Sequence, residues 1–329
     1  MNVLITGGAG FIGQRLAREL LARGKLCGPS GGDETIERIT LLDVAAAPAF
    51  DDPRINTVAG DIADAAVLAA HIGRDTASVF HLAAVVSGQA ERDFDLGMRV
   101  NMDASRLLLE ACLAAGSKPR VLFTSSVAVY GGQIAGGVTD TTALNPQSSY
   151  GAQKAIGELL LLDYSRKGFI DGRVARLPTI SVRPGQPNQA ASSFASGIIR
   201  EPLHGQVAVC PVSATTRLWL LSPRKAIESL IALHDVPAAT LGIKRTVNLP
   251  GVSVSVGDMV AALRAVGGDD AVQRIRWQRD DAVERIVGSW PSTWDITRAR
   301  SLGLTADANF ESIVRAYVED DLRPGAKPA

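Results

Sequence analysis

Short apolar runs alternate with stretches whose leucines recur at helical spacing through the first half of the chain. Val3–Thr6 is an apolar run that ends on glycines, and Leu16, Leu20 and Leu21 then share one face of a helix predicted over Arg15–Arg23. Further strands are predicted at Ile39–Asp43, Asn56–Ala59, Ser78–Ala83 and Val121–Ser125, with helices over Ala65–Ile72 and Asp103–Ala115 between them. A helix starting at Tyr150 and a strand over Arg173–Leu177 complete the series. Strands this uniformly apolar are buried on both faces, which requires helices above and below a parallel sheet.

The expected architecture is α/β, a doubly wound parallel Rossmann sheet with a smaller C-terminal substrate lobe. From Pro178 onward Pro184, Pro187, Pro202 and Pro211 interrupt the pattern. Residues 1–177 are therefore assigned to the sheet domain, with core elements returning near 216–249, and residues 178–329 to the lobe. The segment between Lys25 and Glu37 contains Gly28-Pro29-Ser30-Gly31-Gly32-Asp33 and is expected to be a surface loop. The end, Arg323–Ala329, is polar.

With 329 residues and 46% apolar content the chain can bury a large core. Thirty-four basic residues balance thirty-four acidic ones, so no general field attracts nucleic acid or an anionic membrane. The three cysteines, Cys27, Cys112 and Cys210, form neither a CxxC pair nor a metal spacing, and Cys112 reads as a buried structural thiol. The four histidines, His71, His81, His204 and His234, form no cluster, so no metal site is expected. The chain runs straight into an apolar strand with no charged leader, and no apolar stretch approaches the ~20 residues of a membrane span. A soluble, cytoplasmic protein is expected.

The candidate chemistry begins at Thr6-Gly7-Gly8-Ala9-Gly10-Phe11-Ile12-Gly13, between a strand and a helix. Gly7 suits a tight turn, Gly10 a close approach of backbone to a pyrophosphate, and Gly13 close packing of helix on strand. Amides at the helix N-terminus would then receive the phosphates. Asp43 ends the second strand, where a carboxylate can bind both ribose hydroxyls and repel a 2′-phosphate, favouring NAD over NADP; the competing reading is a solvated cap. Asp61, beside Ile62, suits an adenine amino group or equally a helix N-cap. Leu82, Ala83 and Ala84 close the fourth strand with side chains small enough for backbone to run along a ribose. His81, just before them, reads as a buried, hydrogen-bonded histidine and not a catalyst.

Tyr150 and Lys154 stand four residues apart, on one face of a helix. A tyrosine has a pKa near ~10, and a neighbouring ammonium and a cationic nicotinamide both favour its phenolate. Ser126, or Ser125, closes the preceding strand where a hydroxyl can orient the reacting oxygen. An incidental exposed pair is the alternative for Tyr150 and Lys154 considered alone.

Taken in order, these residues resemble the extended branch of the short-chain dehydrogenase/reductase superfamily, the NAD-dependent epimerases and dehydratases, over about residues 1–180. The glycine motif, Asp43, Asp61-Ile62, His81-Leu82-Ala83-Ala84, Asn101, Ser125-Ser126, Tyr130-Gly131 and the Tyr150/Lys154 pair carry the resemblance. It implies catalysis by Ser126, Tyr150 and Lys154. It implies NAD contacts at Gly7, Gly10, Phe11, Ile12, Gly13, Asp43, Asp61, Ile62, Leu82, Ala83, Ala84, Asn101, Tyr150, Lys154 and Pro178, with Asn101 also supporting the active-site helix. Past Tyr150 the chain departs from the sugar-nucleotide enzymes: Arg217-Leu218-Trp219-Leu220-Leu221-Ser222 replaces a His-Val-Asp-Asp-like element, and Val127-Ala128 an Asp-Glu pair. The segment from Arg176 to Asn188, with Ala190–Phe194 and Gly197–Leu203, is instead similar to the D-erythronate dehydrogenase group, which implies NAD-dependent oxidation at C2 of a small sugar acid.

An acid substrate needs a cationic partner, for which Arg183 and Arg217 are the candidates; each equally suits a surface or inter-lobe ion pair. Ser125, Ser126, Tyr150 and Ser87 are candidates for substrate hydroxyls. A nucleotide-sugar epimerase with the same Tyr/Lys pair and a non-catalytic NAD-sensing protein are the rival readings. The helices Asp103–Ala115 and Tyr150–Arg166 suit either a four-helix homodimer contact, as in relatives, or simple coverage of the sheet.

Overall fold

The computed structural model describes residues 1–132, 134, 136–186 and 190–322. Pro187 and Asn188 of the resemblance segment, and the polar end 323–329, lie outside them.

Seven strands form one wholly parallel sheet: β1 (Asn2–Thr6), β2 (Arg38–Asp43), β3 (Ile55–Ala59), β4 (Thr76–His81), β5 (Arg120–Ser126), β6 (Asp171–Leu177) and β7 (Thr246–Asn248). Their order across the sheet is β7-β6-β5-β4-β1-β2-β3. It reverses between β1 and β4, and the carboxyl ends there frame the crevice where such sheets bind ligands.

The period-2 alternation of a strand decides which core each side chain joins. Val3 and Ile5 of β1 face a cluster with Leu16 and Leu20 of α1 (Phe11–Arg23) and with Ile227 and Leu230 of the helix Pro223–Asp235. Leu4 between them faces the opposite cluster, with Leu108 of the helix Ala104–Ala115, Phe123 of β5 and Leu161 of the helix Ser149–Arg166. Burying each such side chain is worth about 1.5–3 kcal/mol, which makes this double layer the main source of stability.

Two expectations change. The segment after α1 is an antiparallel hairpin, Lys25–Cys27 against Asp33–Thr35, because Leu26, Cys27 and Ile36 are buried and anchor its base. The core return starts at Pro223, not 216: the strand Arg217–Leu221 pairs outside the main sheet with Val252–Ser255 and Thr179–Ile180. Cys112 is fully buried, and enclosure pushes its thiol up to about 12. Among the described residues no helix is long and apolar enough to cross a membrane.

The later residues form a separate core in which the helices Phe194–Leu203, Val256–Val272 and Phe310–Tyr317 enclose Ile198, Met259, Leu263 and Val314. This lobe meets the sheet through an aromatic seam: Trp294 stacks on Trp219 at 6.0 Å and meets the edge of Tyr130 at 5.3 Å. Ion pairs reinforce it, Arg15 with Asp320 and Asp321 and Arg224 with Asp320 at 2.6 Å. Partly exposed pairs contribute about 0–1 kcal/mol each, so the seam carries most of the attachment.

Candidate active site

Two adjoining cavities lie at the carboxyl ends of the strands. The larger, about 600 Å³, runs along the ends of β1, β2 and β4. The smaller, about 230 Å³, lies between the end of β5, the Ser149–Arg166 helix and the lobe. Phe11, Ile12, Leu82, Ala84, Val86 and Arg183 border both.

The larger cavity is shaped by glycines. Gly7 has φ +73°, and a Cβ on it would stand 2.8 Å from the Ala83 nitrogen. A Cβ on Gly13 would stand 2.3 Å from the Gly7 carbonyl oxygen. Gly10 is the N-cap of α1 and provides no capping side chain, so the first-turn amides are left for an incoming acceptor. This cradle, which side chains would fill, suits a pyrophosphate.

Asp43 borders the groove while accepting hydrogen bonds from the Ala9 and Ala45 amides at 3.1 and 3.2 Å, so it also holds the turn. Asp61 borders it too but caps no helix; that task falls to Asp64, which accepts from the Ala66 amide. Asp61 instead pairs with Arg99 at 2.5 Å, and this partner holds its carboxyl below the usual range. Ile62 and Ala83 also line the groove.

Asn101 borders neither cavity, contrary to its expected cofactor contact. It is buried, bonded to both backbone groups of Val85 and, at 2.8 Å, to Gln153 of the active-site helix. His81 is buried with Thr6 and Ser105 at its two ring nitrogens, and desolvation drives it down to about 3.

In the smaller cavity Ser125, Ser126, Tyr150, Lys154, Pro178, Arg183 and Ser87 come together. Ser126 takes the Ala128 amide at 3.1 Å and stands beside the Tyr150 phenol, where its hydroxyl favours the ionised form. Enclosure pushes Tyr150 up to about 12, opposed by Ser126 and by the charge of Arg183. The ammonium of Lys154 was expected to lower the phenol; the cation that does so is Arg183. Burial brings Lys154 down to about 7, opposed by Glu158 one turn along the helix. Glu158 is clamped by Arg176 at 2.8 and 2.5 Å, and Arg176 also bonds the Tyr130 hydroxyl. Behind the Tyr/Lys pair stands a buried charged network.

Two polar atoms here are buried without a partner, the Ser125 hydroxyl and Nη2 of Arg183. An unsatisfied buried donor costs about 1–3 kcal/mol, so both are poised for a ligand that brings acceptors. Arg217 does not reach the cavity. It opens its strand on the solvent side, and its guanidinium spans to Ser253 at 3.2 Å. Ser87 lines the cavity and accepts the Ala191 amide of the lobe at 3.3 Å.

The model of the NAD dependent epimerase/dehydratase family matches residues 3–222, which carry β1 to β6 of the sheet, the glycine cradle and the Tyr150/Lys154 helix. The chain belongs to the NAD dependent epimerase/dehydratase family. Among its epimerase/dehydratase relatives, the D-erythronate dehydrogenase of Cupriavidus necator is 62% identical over 97% of this chain and 98% of its own. That of Haemophilus influenzae is 45% identical over 98% and 100%. A nucleoside-diphosphate-sugar epimerase structure from Agrobacterium tumefaciens superposes with a TM-score of 0.91 at 42% identity, covering 99% of this chain and 96% of that one. As a member of the family the chain takes an NAD-type cofactor, and the glycine cradle fits one.

Other residues of this family member's cavities escaped the sequence reading. Val44, Gln89, Leu96 and Arg99 border the groove, and Thr124, Thr179, Ile180, Ser192 and Trp290 the smaller cavity. Val44, Ser192 and Trp290 come from loops whose spacing carries no signal, the others from helix and strand positions with no distinguishing chemistry. Trp290, set between serine and proline in a polar stretch, was the one aromatic that could have been singled out.

Proposed function

We propose that this protein oxidises D-erythronate at C2 to 2-oxo-D-erythronate with NAD as the acceptor. The observation that carries this reading is the buried, unpartnered Nη2 of Arg183, bordering the cavity of Ser126, Tyr150 and Lys154. A guanidinium pairs bidentately with a carboxylate, and a 2-hydroxy acid carries its carboxylate on the carbon that must react. The near-full-length likeness to two D-erythronate dehydrogenases supports the choice of acid.

In this mechanism NAD, when bound, supplies the acceptor for the C2 hydride. Arg183 holds the carboxylate and draws the phenol of Tyr150 toward its ionised form. Tyr150 takes the proton of the C2 hydroxyl, and the Ser126 hydroxyl, on the same cavity, orients that oxygen. Lys154 places its positive charge beside the tyrosine, 5.8 Å from the ring centre. Ser125 and Ser87 bind the remaining hydroxyls. Asp43 on the groove wall disfavours a 2′-phosphate, which selects NAD over NADP. In this division residues 1–177, with the later core elements, hold NAD, and residues 178–329 close over the acid. Exposed Leu113, Ile156 and Leu159 on the Ala104–Ala115 and Ser149–Arg166 helices support a homodimer through these two helices.

The test is NADH formation by purified protein with NAD and a panel of four-carbon sugar acids beside UDP-hexoses. Steady NADH with D-erythronate, lost in Tyr150→Phe, supports the reading. Interconversion of a UDP-sugar without added NAD, and no turnover of any acid, would replace it with the epimerase reading that the Agrobacterium likeness favours.

A further inference from the structure

A third cavity, about 400 Å³, lies between Gly132, Ile134, Gly136 and Gly137 on one side and the segment Gly288–Thr293 of the lobe on the other. Its floor is fixed where Val138 bridges to Trp294: the Val138 amide donates to Thr293 and the Asp295 amide to Val138, both at 2.8 Å. Gly137 packs so closely on this floor that a Cβ would stand 2.8 Å from the Thr293 oxygen. Among the described residues one borders both this cavity and the catalytic one, and it is Trp290.

Much of the wall of the catalytic cavity is committed under the function proposed above. Arg183 marks the carboxylate end, Ser126 and Tyr150 the reacting C2, and Ile12, Leu82, Ala84 and Val86 the border with the cofactor groove. Beside Ser125 and Ser87, which take the hydroxyls beyond C2, the cavity is walled by Thr179, Ser192 and Trp290. At about 230 Å³ the cavity falls below the ~300–1,000 Å³ typical of sites for drug-sized ligands. The space of the third cavity begins at Trp290.

We infer that Trp290 is the specificity-determining partition of this enzyme: its indole ends the catalytic cavity after a four-carbon acid and excludes five- and six-carbon sugar acids from the space behind it. This rests on the sugar-acid reading and adds the residue that sets chain length. An apolar wall discriminates by about 10–200-fold per methylene-sized misfit, so removing it has a measurable effect.

The experiment compares kcat/KM for D-erythronate with that for five- and six-carbon aldonic acids in wild type, Trp290→Ala, Trp290→Leu and Trp290→Phe. Truncation to Ala or Leu is expected to raise the long-to-short ratio at least tenfold, while Phe, which keeps a ring in the partition, leaves it near wild type. Leu maintains an apolar filler where Ala loosens the loop, and NAD binding with an unchanged Tm certifies each variant. An unchanged ratio in a folded, D-erythronate-active variant overturns the inference and leaves the proposed function standing. Wild-type protein that turns over no acid sinks both.

Discussion

The guanidinium of Arg183 acts on the phenol of Tyr150, although one leaves the last long strand toward the lobe and the other opens the active-site helix. Its positive charge lowers the phenol, and the phenol in turn favours the charged guanidinium against burial and against Arg200. Under the proposed function, recognition of the acid and activation of the base share this one side chain.

Arg183→Gln should therefore have two effects. KM for D-erythronate should rise at least tenfold, since a charged hydrogen bond is worth about 1.5–3 kcal/mol. The rising limb of kcat/KM with pH should also move upward, because the tyrosine loses the cation that eases its ionisation. Arg217→Gln, on the solvent side, should leave both unchanged. A KM change with no pH shift would separate the two roles.

Tyr150→Phe should lower kcat by about 10²–10⁴-fold, the usual range for a positioned proton acceptor, with NAD affinity within a factor of a few of wild type. Isothermal titration with NAD beside the NADH assay checks both halves.

Lys154 depends on Glu158 for its charge. Burial lowers the ammonium to about 7, and loss of the carboxylate lowers it further, so in Glu158→Gln activity that needs the ammonium should fail at lower pH. His81 beside it stays neutral, while Arg176 and Tyr130 stand behind Glu158. Glu158→Asp should restore most of the profile. The pair Glu158→Gln with Arg176→Met removes both buried charges and tests whether a loss is electrostatic or only structural.

Gly13→Ala should abolish NAD binding and lower Tm, because its Cβ meets backbone at 2.3 Å and overpacking of this kind costs about 1–3 kcal/mol. Gly10→Ala, whose Cβ would meet only the Gly7 oxygen at 3.2 Å, should fold but bind NAD more weakly. Equal NAD affinity in Gly10→Ala and wild type would show that the cradle is not the phosphate site.

Acid should destabilise the fold before the carboxylates titrate. His81 and His234 are buried and neutral, lowered from 6.5 to about 3 and about 4, chiefly by desolvation. The unfolded chain binds protons that the native state refuses, so their stabilising contribution is complete above pH 6.5 and drains away toward pH 4. Tm measured from pH 8 to 4 should fall below about 6.5, and less steeply in His81→Asn with His234→Asn. A flat profile over that range would remove these histidines from the account.

The first six strands of the sheet were legible from signals such as an apolar run, a glycine or carboxylate at its end, or a leucine face on the helix that follows; β7, three residues long, carries none of these. Tyr150 and Lys154 were legible for the same reason, since four residues on a helix fix their geometry. Arg183 and Arg217 could not be told apart, because which arginine turns inward depends on strand pairings far from either. Trp290 was missed since its loop reaches the cavity through lobe packing alone. The Lys25–Thr35 hairpin was misread as loop because its glycines outnumber the buried Leu26 and Cys27 that fold it.

The sheet rests on its own two apolar clusters, and the lobe helices on a third. Inheritance can act on them separately. Drift in the lobe can redraw what the cavity accepts while the strand end with Ser126 and the helix with Tyr150 and Lys154 stay in register. Lineages built on such a plan can diversify in diet without reinventing their redox chemistry.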